Sequence, residues 1–95
     1  MSLKRRRIKV EYKKLGKEQA WGQADIADET IELDSRLKGK KHLEILIHEA
    51  LHILHPKMAE EVIVKNSICL TNLIWGQQYR RIETDTSIPL QDGKK

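Results

Sequence analysis

The sequence holds no phenylalanine, one cysteine, two prolines and five glycines, and only 4% of it is aromatic. With two Trp and two Tyr as its only large rings, a chain of 95 residues can build one modest core and one domain. The single Cys69 cannot close an internal disulfide, and its apolar neighbours point to a buried, inert thiol rather than a nucleophile or ligand. No run approaches the ~18 consecutive apolar residues of a membrane span, and the charged N-terminus has no apolar stretch behind it. Neither a span nor a signal peptide is expected, and the expected compartment is the cytoplasm.

What is present is polar: 39% of residues are hydrophobic and 34% charged, with a formal net charge of +4. A chain so composed is ordered but thinly packed, so a bound metal would supply a real share of its stability. The positive charge gathers in Lys4-Arg5-Arg6-Arg7, Lys13-Lys14, Lys38-Lys40-Lys41 and Lys94-Lys95. Such clusters can be a nucleic-acid footprint. They read more simply as solvated termini, turns and edge-strand lysines, because no aromatic-lined basic stripe accompanies them in the sequence.

From Arg7 to Leu15, Ile8, Val10 and Tyr12 alternate with Lys9, Glu11 and Lys13, the period of a half-buried strand. Gly16-Lys17 is a plausible turn. A second extended piece is expected from Gln19 to Ala27 and a third, alternating again, at Thr30-Ile31-Glu32-Leu33-Asp34. Three short strands so spaced suggest a small antiparallel meander. A helix follows over about Lys40–His55, stopped by Pro56. A second begins near Ala59, where Glu60 and Glu61 suit a first turn, and runs to about Trp75 or Tyr79. The expected class is α+β: a three-stranded antiparallel sheet, an active-site helix and a second packing helix. Residues 1–80 form the domain and 81–95 a polar tail.

On the first helix, Leu43, Leu46, Ile47, Ala50, Leu51, Ile53 and Leu54 fill one arc, and His48, His52 and His55 lie opposite with Glu44 and Glu49. His48-Glu49-Ala50-Leu51-His52 is an HExxH sequence. Two histidines four apart rise roughly 6 Å along the axis, so both imidazoles can converge on one zinc ion. Glu49 is rotated off the ligand direction and suits a general base toward water activated by that ion. Shuffling this composition yields roughly 0.01 such matches per shuffle, so chance accounts poorly for one inside an amphipathic helix.

A catalytic zinc usually takes three protein ligands. His55 shares the polar face but lies roughly 10.5 Å from His48 along the axis, which suits a C-terminal cation better than a ligand. There is no histidine after His55, and the nearby acids downstream are Glu60 and Glu61. A short loop through Pro56-Lys57-Met58 would fold their helix back beside the first. Periodicity leaves the choice between the two open.

The run Leu46-Ile47-His48-Glu49-Ala50-Leu51-His52, the Pro-containing loop, Glu60-Glu61-Val62 and the apolar stretch ending Leu73-Ile74-Trp75 resemble small phage and bacterial zincins. These are minimal relatives of the gluzincin and ImmA/IrrE-like metallopeptidases. The likeness covers about residues 20–80. It implies zinc-dependent peptide-bond hydrolysis and a glutamate third ligand, mapping best onto Glu61 before Val62, with Glu60 as the alternative. It also implies that Thr30–Asp34 is the edge strand preceding the active-site helix, open to an extended peptide or protein substrate by β-addition. The chain departs from metzincins in lacking a Gly three residues past His52 and a third motif histidine. No transition-state stabiliser stands out; Tyr79 is the one candidate, and equally a packing residue. Two further readings are a non-catalytic, zinc-stabilised module that binds a partner, and a small basic nucleic-acid binder.

Overall fold

The computed structural model describes residues 7–15 and 21–82. The Gly16-Lys17 turn, the Lys4-Arg5-Arg6 run, Gln19-Ala20 and residues 83–95 of the expected tail lie outside the described residues. The elements are β1 (Lys9–Lys13), β2 (Gly22–Asp25), β3 (Thr30–Asp34), α1 (Gly39–Leu54) and α2 (Glu60–Gly76). The class is α+β, as the order of periodicities indicates. Among the described residues no helix is long and apolar enough to cross a membrane.

The sheet is mixed, not antiparallel. Its order is β1-β3-β2, with β1 parallel and β2 antiparallel to β3. The physical reason is burial. Ile31 and Leu33 are essentially inaccessible on one face of β3, and Thr30 and Asp34 are buried on the other, so this strand takes the centre. Every residue of β1 is exposed, as suits an edge. Thr30–Asp34 is therefore not the edge strand that the family resemblance implied: both its sides carry a ladder. Among the described residues the edges belong to β1 and β2.

A buried carboxylate locks the top of this sheet. Asp34, 1% exposed, accepts two side-chain bonds from Arg36, Nε to Oδ1 at 2.7 Å and Nη2 to Oδ2 at 2.7 Å. It also accepts the backbone N–H groups of Arg36 and Leu15. The Arg36 guanidinium and these amides hold the Asp34 carboxyl well below the usual carboxylate range, against the opposing effect of burial. One side chain thus ties the end of β3 to the segment leaving β1. At the other end, Asp28 N–H bonds to Asp25 Oδ1 and Glu29 takes a left-handed φ of 53°, closing the β2–β3 hairpin.

Helix α1 lies on the sheet through Ile45, Leu46, Ala50 and Ile53, which pack with Ile31, Leu33 and Leu37. Its buried residues are His42, Glu49 and Ile53, whose spacing of seven and four puts them on one face. Helix α2 packs on α1 and, among the described residues, against no strand's backbone. Its buried residues are Ile63, Ser67 and Thr71, a single stripe in which the small Ser67 and Thr71 allow close approach. Val62, Val64, Ile68, Leu70 and Leu73 face outward. Cys69 is exposed, contrary to its apolar sequence setting, because two residues past Ser67 rotates it roughly 200° from the contact stripe.

Candidate metal centre

The five residues from His55 to Ala59 reverse the chain between the helices. His55 caps α1, its N–H bonding to Leu51 O at 2.8 Å, and Met58 N–H bonds back to His55 O at 3.0 Å. Ala59 takes the N-cap position of α2, its carbonyl accepting Val62 N–H and Ile63 N–H at 3.0 Å. This tight reversal sets Glu60, the first residue of α2, beside the last turns of α1.

His48 and His52 stand one helical turn apart, with ring centroids 5.0 Å from each other. Each turns its Nε2 to the same carboxylate: Glu60 Oε2 lies 3.2 Å from His48 and Glu60 Oε1 lies 2.9 Å from His52. One donor atom from each residue falls within 4.8 Å of the others. Ligands held at ~2.0–2.1 Å around a tetrahedral ion lie about 3.3 Å apart, so small adjustments suit the three groups to one zinc. Two imidazoles and a carboxylate are also a donor set used by catalytic zinc, which keeps its fourth position open. Without an ion, the contacts would rest on Nε2–H donation to the carboxylate.

The carboxylate in reach is Glu60, not Glu61. One residue along α2 is a rotation of ~100°, and Glu61 is exposed and outside the group. The signal that separates them is phase: Glu60 precedes Ile63, Ser67 and Thr71 by three, seven and eleven residues, which puts it on the stripe that meets α1. His55 is exposed at the cap and is likewise outside the group.

Glu49 sits elsewhere than the polar stripe on which the helical wheel set it. It is 9% exposed, on the helix face that it shares with the buried Ile53. Burial pushes its carboxyl up, partly offset by His48 and His52 and reinforced by the nearby Glu60 charge. A carboxyl that burial holds toward its protonated form, one residue from an imidazole of the pair, is a group able to take and return a proton.

Tyr79 is not brought to this group. It follows the far end of α2, which is roughly 25 Å long, and lines a cavity with Gly39, His42 and Leu43 at the start of α1. A transition-state role for Tyr79 at His48 and His52 is incompatible with that position. Sequence reasoning missed His42, which is 5% exposed and lies 2.9 Å through Nε2 from the Tyr12 hydroxyl. Its phase with Glu49 and Ile53 was the available signal.

Comparison with family models, with curated proteins and with solved structures finds no match to this chain.

Proposed function

We propose that the protein is a small zinc-dependent metallohydrolase that cleaves peptide bonds, with His48, His52 and Glu60 as ligands and Glu49 as general base. The observation that carries this reading is the convergence of two Nε2 atoms from α1 and one carboxylate from α2, next to a buried acid with a raised pKa. When bound, zinc supplies a Lewis acid that lowers the pKa of water to about 7 and polarises a carbonyl.

The chain's own residues do the rest. His48 and His52 present imidazole nitrogens along one helix face, and the Glu60 carboxylate completes a donor set that favours a dication. Glu49 takes the proton of the attacking water and returns it to the departing amine nitrogen. The strand suited to receive an extended peptide is β2, because it is an edge and packs against α1; Gly22, at its start, lies against Ile45.

The test is metal analysis of protein purified without added zinc, paired with peptide cleavage by the wild type and Glu49→Gln. About one equivalent of zinc and a cleavage activity lost in Glu49→Gln support the reading; less than about a tenth of an equivalent, unrestored by refolding in zinc, defeats it.

A second reading draws on the outward face of α2, where Val62, Leu70 and Leu73 are 40%, 37% and 59% exposed. A zinc-stabilised module that docks a partner there would hold the same metal and need no base. Glu49→Gln distinguishes the two, since such a module loses nothing by it.

A further inference from the structure

At the end of the helical hairpin opposite Glu60, β1, the first turn of α1 and the segment after α2 enclose a cavity of about 220 Å³. Leu43 and Leu46 give it an apolar lining, and four rings join them, those of Tyr12, His42, Trp75 and Tyr79. The Arg80 guanidinium lies over Trp75, 3.5 Å from the ring centroid, and that of Arg81 lies over Tyr12 at 4.7 Å. An adjoining cavity of about 150 Å³ shares Gly39 and both arginines and extends to Lys38. Among the described residues no carboxylate lines either space.

Two further features make this end electropositive. The N-terminus of α1 has no side-chain cap and no acid in its first turn, where Lys40 and Lys41 stand instead. The positive end of the helix dipole is therefore reinforced by cations where carboxylates are usual. Arg80 is also fixed in place: its Nη1 donates to the carbonyls of Trp75 at 2.8 Å and Tyr79 at 3.0 Å. Among the described residues its Nε and Nη2 donors make no such bond and are left for an anion.

Rings overlaid by guanidinium groups, with cations continuing past the cavity mouth, are the materials that hold an unpaired base and its phosphates. The volume falls below the ~300–1,000 Å³ of pockets that enclose a whole ligand. The cavity therefore admits one ring, while the rest of the ligand stays on the surface among Lys38, Lys40 and Lys41. A duplex keeps its bases stacked and cannot insert one without unpairing it.

We propose that this end of the protein binds single-stranded nucleic acid, with one base in the Tyr12–Trp75–Tyr79 cavity and its flanking phosphates on Arg80 and Arg81. The basic segments thereby acquire the aromatic lining that the linear sequence does not display. The proposal stands apart from hydrolysis at His48 and His52, which lie toward the other end of the hairpin.

The test is fluorescence anisotropy of a labelled oligothymidylate of about ten nucleotides at ~50 mM salt, using the full chain. Wild type should bind, with affinity falling steeply as salt rises. Arg80→Ala/Arg81→Ala and, separately, the exposed Tyr79→Ala should each weaken binding about tenfold. Lys57→Ala/Lys65→Ala removes the same two charges away from the cavity and should cost no more than about threefold. Any of four results overturns the proposal: no wild-type binding at low salt, equal losses in the two charge variants, equal affinity for a duplex, or competition by thymidine monophosphate at the concentration of the strand.

Discussion

Gly22 of β2 and Ile45 of α1 meet so closely that a Cβ at position 22 would stand 2.8 Å from Ile45 Cγ2, and equally near Leu33 Cδ2. This glycine is required by proximity, since its backbone is not in the left-handed region. Gly22→Ala should destabilise the protein by about 1–3 kcal/mol, as over-packing does. Adding Ile45→Val should recover part of the loss, although Leu33 keeps the double variant below wild type. Denaturant unfolding of the four proteins, read as a double-mutant cycle, checks this.

Glu60→Ala should reduce zinc affinity by more than the roughly 10- to 100-fold that follows loss of a group merely supporting a ligand. Glu61→Ala should leave it within about threefold. The wild type should melt at a higher temperature in zinc than in a chelator, and that increment should vanish in Glu60→Ala. Competition with a chromophoric chelator, together with thermal melts, reads both effects.

Glu49→Gln should lower peptide cleavage by about 10²–10⁴-fold while metal content stays near one equivalent. Stability supplies a second readout. Because the folded pKa of Glu49 is raised, ionising it opposes folding above the unfolded value of ~4.3. The amide removes that penalty, so metal-free Glu49→Gln should be at least as stable as wild type at pH 7. On the proposed mechanism the base must be ionised, so the acid limb of the pH–rate profile should lie above the range of an ordinary glutamate.

Asp34 predicts the opposite dependence. Its carboxyl is depressed by Arg36 and two backbone amides, so the stability it contributes is complete above the unfolded pKa of ~3.9 and is lost as pH falls through and below that value. Asp34→Asn should be less stable at neutral pH and should flatten the acid side of the Tm–pH curve. Melts from pH 7 to pH 2 test this, with Glu49→Gln as background to remove the contrary titration.

Thr71 Oγ1 is buried and, among the described residues, has no hydrogen-bond partner. Val has the same shape without the hydroxyl. Thr71→Val should therefore stabilise the helical hairpin, by up to about 1–3 kcal/mol. A lower denaturation midpoint would show that the hydroxyl contributes to the fold.

Much of this arrangement is legible in the chain. The bounds of Thr30–Asp34 match to the residue and those of α1 and the start of α2 to within one, because amphipathic periodicity and Pro56 mark them directly. The end of α2, read as Trp75 or Tyr79, falls at Gly76. The His48–His52 pair follows from helical geometry alone. Strand order was not legible: alternation shows which residues face a core but not which strand lies between two others, and β3 inserts between β1 and β2. Glu60 was obscured because α2 is apolar nearly all round, so its contact stripe is marked by the small Ser67 and Thr71 and not by hydrophobicity. The same ambiguity hid the exposure of Cys69. The Tyr12–Trp75–Tyr79 cavity joins segments more than sixty residues apart, a separation beyond any local pattern.

The three prospective ligands, by contrast, span thirteen residues of sequence, His48 to Glu60, joined by one short reversal. Closing so small a loop costs little chain entropy, whereas β1 must find β3 across 21 positions of register, Lys9 to Thr30. Contacts of low sequence separation form fast and distant ladders slowly. The helical hairpin can thus bring His48, His52 and Glu60 together before β1 is in place, so on the proposed reading an ion would find its ligands without waiting for the sheet.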